Sequence, residues 1–227
     1  MKICAFSDMH GYLDFDIPVA DLYLIAGDIC PVWDHSVKGQ LNWLHNEFRA
    51  LLERLDEKKV LWVAGNHDLI LESHRDIIQK EILSGYLFDS MIEINGLKIY
   101  GSPWQPIFGN WAFNLSEEEL EKKWQLIPDD ADILVLHGPP YGNGDKVVHT
   151  TNKDGRLLQE PFVRHCGSKS LKKRILEVKP KLVVTGHIHE AYGISHLESD
   201  GKKITIANVS VLDGDYRVAN KPIIFEL

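Results

Sequence analysis

Five short polar clusters in this chain carry residue types that do chemistry: Asp8-Met9-His10, Gly27-Asp28, Gly65-Asn66-His67-Asp68, His137-Gly138 and Gly186-His187-Ile188-His189. Imidazole nitrogen, carboxylate oxygen and amide oxygen all ligate metals. Without a thiolate cluster, the set suits Mn, Fe, Zn or Co, with manganese favoured, whereas an all-oxygen set would suit Mg or Ca. A lone histidine is more often a hydrogen-bonded structural residue, and a Gly-Asp pair is more often a turn. Recurrence changes that reading: of 11 histidines, His10, His67, His137, His187 and His189 fall in these clusters, while His35, His45, His74, His149, His165 and His196 do not. The candidate ligands Asp8, His10, Asp28, Asn66, His137, His187 and His189 are too many for one ion and enough for two if one carboxylate bridges. Two ions about 3.5 to 4 Å apart bind both the attacking and the leaving oxygens of an in-line displacement. The expected chemistry is hydrolysis of a phosphate ester by a metal-bound hydroxide. The two carboxylates, Asp8 and Asp28, leave such a centre locally positive, so an acidic protein can still bind an anion there.

The clusters need elements that bring them together. Each stands directly after a β-type apolar run: Lys2 to Phe6, Leu22 to Ala26, Lys59 to Ala64, Ile133 to Leu136 and Lys181 to Thr185. Between the runs, Val37 to Leu55, Glu72 to Leu83, Ser116 to Leu126 and Ser168 to Val178 carry apolar residues at three- and four-residue spacing. Ser116 with Glu119 has the form of a capping box. Alternating strands and helices predict parallel sheets, and ligands bind at the carboxyl ends of such strands, so the five clusters are expected to share one crevice. In extended backbone, side chains at i and i+2 share a face. That predicts that His187 and His189, like Asp8 and His10, aim at one point while Ile188 turns into the protein. Antiparallel additions are expected at Tyr86 to Tyr100, with a turn at Asn95-Gly96, and from Tyr192 onward, with turns near Asp200-Gly201 and Asp213-Gly214. Pro103 to Leu115 and Pro139 to Gly167 read as long functional connections.

Composition narrows the class. The chain has 227 residues, 44% hydrophobic and 26% charged, with no apolar run long enough for a membrane span. No repeat or linker interrupts it, so residues 1–227 read as one α/β domain. Cys4, Cys30 and Cys166 lack metal or redox spacing and read as reduced thiols. With "MKICAFSD" too short in apolar length for a signal peptide, the expected location is cytoplasmic. A net charge of −8 argues against a general binder of long nucleic acid. No signal sets an oligomeric state.

In order and in every ligand position, Asp8-x-His10, Gly27-Asp28, Gly65-Asn66-His67-Asp68, His137 and Gly186-His187-x-His189 resemble the calcineurin-like metallophosphoesterase superfamily. The fold this resemblance implies is a four-layer sandwich, two facing mixed β-sheets flanked by helices. It also implies that Asp8, His10, Asp28 and His189 hold one ion, that Asp28, Asn66, His137 and His187 hold the other, and that Asp28 bridges. By the same resemblance His67 protonates or stabilises the departing oxygen, with Asp68 orienting its ring. "YGSPWQPIFGNWAFNL", "HGPPYGNGD", "GHIHEAYG" and "KPIIFEL" are similar to the vertebrate brain metallophosphoesterase-domain proteins, a branch associated with cleavage of cyclic nucleotides. Some of that branch lack a histidine matching His187, which this chain keeps. Between Tyr141 and Cys166 the chain differs from that branch and is longer.

The expected activity is a phosphodiesterase acting on a small phosphate ester such as a cyclic nucleotide. Phosphomonoesterase and nucleotide pyrophosphatase are the enzymatic alternatives, and an inactive binding scaffold is the non-enzymatic one. Trp104, Phe108, Trp111 and Phe113 form either a stacking wall for a base or the packing of their own loop. Trp104, Asn143, Arg156 and Arg164 are the candidate substrate contacts.

Overall fold

The chain runs through β1 (Lys2–Phe6), β2 (Leu22–Ala26), α1 (Val37–Trp43), α2 (Arg49–Leu55), β3 (Val60–Val63) and α3 (Leu69–Ser73). Next come β4 (Ser90–Ile94), β5 (Leu97–Ser102), the short β6 (Gln105–Pro106) and β7 (Asn114–Leu115), α4 (Glu117–Trp124) and β8 (Ile133–Leu136). It closes with β9 (Lys146–Thr151), β10 (Leu157–His165), α5 (Lys169–Val178), β11 (Leu182–Thr185), β12 (Gly193–Ser199), β13 (Lys202–Asn208) and β14 (Ile223–Glu226). This is a computed structural model, and it describes residues 1–74, 84–151 and 157–227.

Two mixed sheets face each other, as the resemblance implies. One has the order β14-β1-β2-β3, with β1, β2 and β3 parallel and β14 antiparallel. The other has the order β12-β13-β11-β8-β5-β4, parallel at its centre and antiparallel at both edges. Strand alternation explains the layers. Ile3, Ala5, Leu24, Ile133, Val135 and Val184 meet between the sheets. Their neighbours face outward: Phe6 and Trp62 pack under Phe48 and Leu52 of the first helical layer, while Leu134, Leu136 and Val183 pack under Leu120, Trp124, Leu171 and Ile175 of the second. A strand buried on both faces has no polar side to show, which is why these runs read as continuously apolar.

The helices start where the sequence signals them. Ser36 caps α1 through the Gly39 N–H, Ser116 and Glu119 form a capping box on α4, and Ser168 caps α5 through the Leu171 N–H. The stretch Val37 to Leu55 is helical but passes through a π-helical turn at Leu44–Phe48. The helix expected over Glu72 to Leu83 is placed differently: α3 begins at Leu69 and ends at Ser73, sharing only Glu72 and Ser73 with that range, and residues 75–83 lie outside the described residues. The two long connections hold structure of their own. The first contains the β6/β7 pair, and the second contains the antiparallel hairpin of β9 and β10. Among the described residues no helix is long and apolar enough to cross a membrane.

Candidate metal centre

The five clusters converge because five parallel strands, β1, β2, β3, β8 and β11, release their chains at the same edge of the sandwich. Asp8 and its neighbours are drawn to the cluster after β2 by Asp8 N–H to Gly27 O, 3.0 Å, and His10 N–H to Asp28 O, 2.9 Å. The Gly186 N–H to His137 O bond, 3.0 Å, does the same for the clusters after β8 and β11. Asp8, His10, Asp28, Asn66, His137 and His189 are all buried, and His187 is half-buried.

Left-handed backbone does the local aiming. Asp8, His10, Asp28 and His187 have φ of 54°, 45°, 51° and 69°, a region costly for a residue with a Cβ and tolerated best by Asp, Asn and His. This corrects the expectation from strand alternation. β11 ends at Thr185, His187 is left-handed, and His189 opens a short 3₁₀ turn. The two rings therefore share no β face. His187 Nδ1 lies 2.8 Å from Asn66 Oδ1, and His189 Nε2 lies 3.6 Å from Asp8 Oδ1. Ile188 is buried, as expected.

Ligand-type atoms gather in three groups, each within 4.8 Å of one another: Asp8, His10 and His189, then Asp28, His137 and His187, with a third, His10, Asp28 and His67, overlapping both. Asp28 stands between the first two. Its Oδ1 accepts the His67 N–H at 2.7 Å, while its Oδ2 is 3.5 Å from both His10 Nε2 and His137 Nε2. Asn66 Oδ1 is 2.9 Å from His137 Nε2, which puts the amide with the second group. Asp8 is steadied by the Ser7 and Ser210 hydroxyls and by the His187 N–H, which donates to its Oδ1 at 3.0 Å.

Donor accounting tests whether this set fits ions. His137 Nδ1–H donates to Ala26 O at 2.9 Å, and His189 Nδ1–H donates to Asp213 O at 3.0 Å. In the neutral rings the Nε2 lone pairs must then face the site. There they meet other acceptors: Asp28 Oδ2 and Asn66 Oδ1 for His137, and Asp8 Oδ1 for a neutral His189. Acceptors facing acceptors in a buried space is stabilised by cations, and second-nitrogen bonds to backbone carbonyls are the usual support of ligating imidazoles. His10 Nδ1 is buried with no partner among the described residues.

Charge and burial pull the groups apart. Burial, then Asp8 and Asp68, pushes the Asp28 carboxyl well above its ordinary value. Asp8 is also raised by burial, but the His189 hydrogen bond and the His189, His137 and His10 imidazoles outweigh this and hold it low. Burial, then His137, lowers His187 to about 3. His67 is likewise lowered to about 3 by burial, then His35 and His137.

The remaining expected residues are placed as follows. His67 is buried, with its ring 4.6 Å from that of His10, T-shaped. Asp68 does not touch that ring. Its carboxylate accepts the N–H groups of Ile29, Cys30 and Gly65 at 3.0, 2.7 and 2.7 Å, so it ties two ligand-bearing loops together instead of orienting His67. Trp104 stays out of the site: its indole N–H donates to Asp89, its ring packs on Phe88 and Phe113, and Lys123 Nζ lies 4.3 Å over it. Trp111 and Phe108 do reach the site, 4.1 Å from the His67 ring and 5.9 Å from the His187 ring. Asn143 donates to Ser195 Oγ at 3.0 Å, Arg164 is exposed on β10, and Arg156 lies outside the described residues. Two residues carry no sequence signal yet stand at the site: His35, 3.2 Å from His67 Nδ1, and Tyr216, whose ring is 5.0 Å from those of His10 and His189. A lone histidine and a lone tyrosine in loops match no pattern.

The chain is thus a four-layer α/β sandwich with buried His/Asp clusters, candidates for a metal site, at its strand ends. Comparison agrees. The calcineurin-like phosphoesterase family model matches residues 1–191, and the chain belongs to that family. It is 34% identical over 254 residues to UPF0046 protein T07D4.2 of Caenorhabditis elegans, covering 96% of this chain and 58% of that protein. It is 33% identical over 248 residues to metallophosphoesterase domain-containing protein 1 of Homo sapiens, covering 97% of this chain and 69% of that one. The chain thus spans little more than half the nematode relative's length. Among solved structures, TT1561 of Thermus thermophilus superposes with a TM-score of 0.53 at 16% identity, covering 99% and 98% of the two chains, a likeness of fold.

Proposed function

We propose that this chain is a single-domain phosphoesterase that uses two divalent ions, manganese favoured, to hydrolyse a small phosphodiester such as a cyclic nucleotide. The observation that carries this reading is the position of Asp28 Oδ2, equidistant from a ring nitrogen of each metal-type group. Asp8, His10, Asp28 and His189 would hold one ion, and Asp28, Asn66, His137 and His187 the other. Ions in that arrangement supply a nucleophilic hydroxide near neutral pH and neutralise the phosphoryl oxygens.

The chain's own groups do the rest. Asp8 and Asp28 are pinned by hydroxyls and backbone N–H groups, so Asp28 Oδ2 and the remaining lone pair of Asp8 Oδ1 meet the site without having to reorganise. His67 is the group that stabilises or protonates the departing oxygen; because burial lowers it to about 3, it acts as the neutral ring, through an N–H hydrogen bond. Phe108, Trp111 and Tyr216 set three aromatic rings around the site imidazoles. Such a rim favours a substrate with a flat aromatic portion, since base-on-aromatic stacking contributes about 1 to 3 kcal/mol.

The test is a substrate comparison. Protein loaded with Mn is given bis-nitrophenyl phosphate, nitrophenyl phosphate, 2',3'- and 3',5'-cyclic nucleotides and dinucleotide pyrophosphates, with Asn66→Ala as control. Metal-dependent turnover, greater on diesters than on the monoester and lost in the variant, is expected. Preference for the monoester or the pyrophosphates would replace the diesterase reading, and no turnover on any of them would overturn the enzyme reading.

A further inference from the structure

The ring of His67 needs a partner if it is to hold one orientation, and the carboxylate next to it in sequence does not supply it. Asp68 is taken up by three backbone N–H groups. Besides the backbone bond to Asp28 and the edge contacts with the His10 and Tyr216 rings, three contacts bear on His67. Gln40, fully buried on α1, donates from Nε2 to His67 O at 2.6 Å and accepts the Ile70 N–H through Oε1 at 3.0 Å, which fixes the backbone on both sides of the residue. Trp111 lies against the ring face, 4.1 Å between centroids and 31° between planes. His35 Nε2 lies 3.2 Å from His67 Nδ1. Only the last contact is directional and made to the ring itself.

His35 is held in its turn. It sits in the loop that leads into α1, where Asp34 accepts the Ser36 N–H at 2.9 Å and Ser36 caps the helix. Trp111 also meets the His35 ring, at 5.2 Å, so one indole touches both imidazoles. Two imidazole nitrogens at this separation share one hydrogen, one as donor and one as acceptor. With His35 Nε2–H as the donor, His67 Nδ1 accepts and the one ring hydrogen of His67 sits on Nε2, the nitrogen left to the site.

We infer that His35 is the positioning residue of the His67 ring, the role that sequence adjacency assigns to Asp68. It touches neither substrate nor ion. It acts by holding His67 so that Nε2 meets the departing oxygen. This inference rests on the proposed role of His67, and the test below separates the two.

Leaving-group dependence is the readout, because proton donation matters for a poor leaving group and little for a good one. His35→Ala, His35→Gln and His67→Ala are each loaded with Mn and assayed on bis-nitrophenyl phosphate and on a diester with an alkyl leaving group, with metal content measured alongside. His35→Ala is expected to lose roughly 10- to 100-fold in kcat on the alkyl diester, the range typical when a functional histidine loses its supporting hydrogen bond. It should stay within about threefold on the nitrophenyl diester, with KM and metal content unchanged. His35→Gln, whose amide can keep one hydrogen bond, should recover part of the loss. The second readout is independent of turnover: in zinc-loaded protein the ring ¹⁵N shifts of His67 should move in His35→Ala. If His67→Ala shows the leaving-group effect while His35→Ala does not, or if the His67 ring signals stay put, the positioning role is overturned and the His67 role stands. If His67→Ala itself shows no such effect, the His67 role falls and this inference falls with it. An equal loss on both diesters also overturns it, since that marks damage to the site as a whole.

Discussion

Gly186 shows how tightly single residues are constrained here. A Cβ on Gly186 would lie 2.3 Å from Asp8 Oδ2, and one on Gly65 would lie 2.3 Å from Asp28 Oδ1. Both glycines stand where they do because a carboxylate passes within contact distance of their backbone. Gly186→Ala is therefore expected to displace Asp8, reduce bound metal to less than two ions per chain and destabilise the fold by about 1 to 3 kcal/mol. Gly201→Ala is the comparison: nothing lies within 4 Å of its Cβ, though φ is +72°. It should cost stability through its backbone alone and leave metal content intact. Metal analysis and urea denaturation of both variants check this, and equal metal loss in the two would refute it. At this scale the ligand residues are legible in the sequence, because each falls in a polar cluster directly after an apolar run. His35 is not legible, since its importance lies only in what it touches.

Among the elements, α5 makes the sharpest prediction. The Ser168 hydroxyl accepts the Leu171 N–H at 3.1 Å as a helix cap, accepts the Trp124 indole N–H at 3.1 Å and donates to Glu117 at 2.9 Å. It joins α4 to α5 as well as starting a helix. Ser116 on α4 caps through Glu119 alone. Ser116→Ala should cost about 1 kcal/mol. Ser168→Ala should cost about 1 to 3 kcal/mol more, because a buried indole N–H loses its acceptor. Denaturant midpoints decide, and an equal cost would refute the added role. The Ser116 cap was readable as a local pattern, and so were the five strands, whose ends the structure matches within a residue or so. The convergence of His187 and His189 was expected for the wrong reason. Alternation along a strand is a local rule, but the strand stops at Thr185, and the bends beyond it are set by contacts with Asp8, Asn66 and Asp213.

For the whole molecule, the site makes folding depend on pH once ions are stripped. His10, His67, His137 and His187 are all lowered from 6.5, burial being the first cause in each, with His67 and His187 reaching about 3. As pH falls below about 6.5 the unfolded chain binds protons on these imidazoles before the folded chain does, so this set loses stability as pH falls. Asp28 and Asp68, raised chiefly by burial, work the other way, because the folded chain holds their protons. The low Asp8 and the raised His189 change little in this window, since both states carry the same charge on them. The lowered imidazoles outnumber the raised carboxyls, so net proton uptake on unfolding is expected, at about 1.4 kcal/mol per pH unit for each proton. Chelator-treated protein should thus lose denaturant stability steadily from pH 6.5 to 4. A flat or rising stability would contradict this.

What the sequence determined by itself was the set of strands and helices, the polar clusters after five strands and, through the spacing of those clusters, the family. Each of these is written in a few neighbouring residues, by apolar period, cap or motif. Tertiary structure decided which oxygen of Asp28 faces both groups, that Asp68 serves loop backbones, that Trp104 is packing and Trp111 is not, and that His35 meets His67. Those facts depend on side-chain directions across residues far apart in the chain. Such directions are set by left-handed turns and buried hydrogen bonds between loops, and no local pattern encodes them.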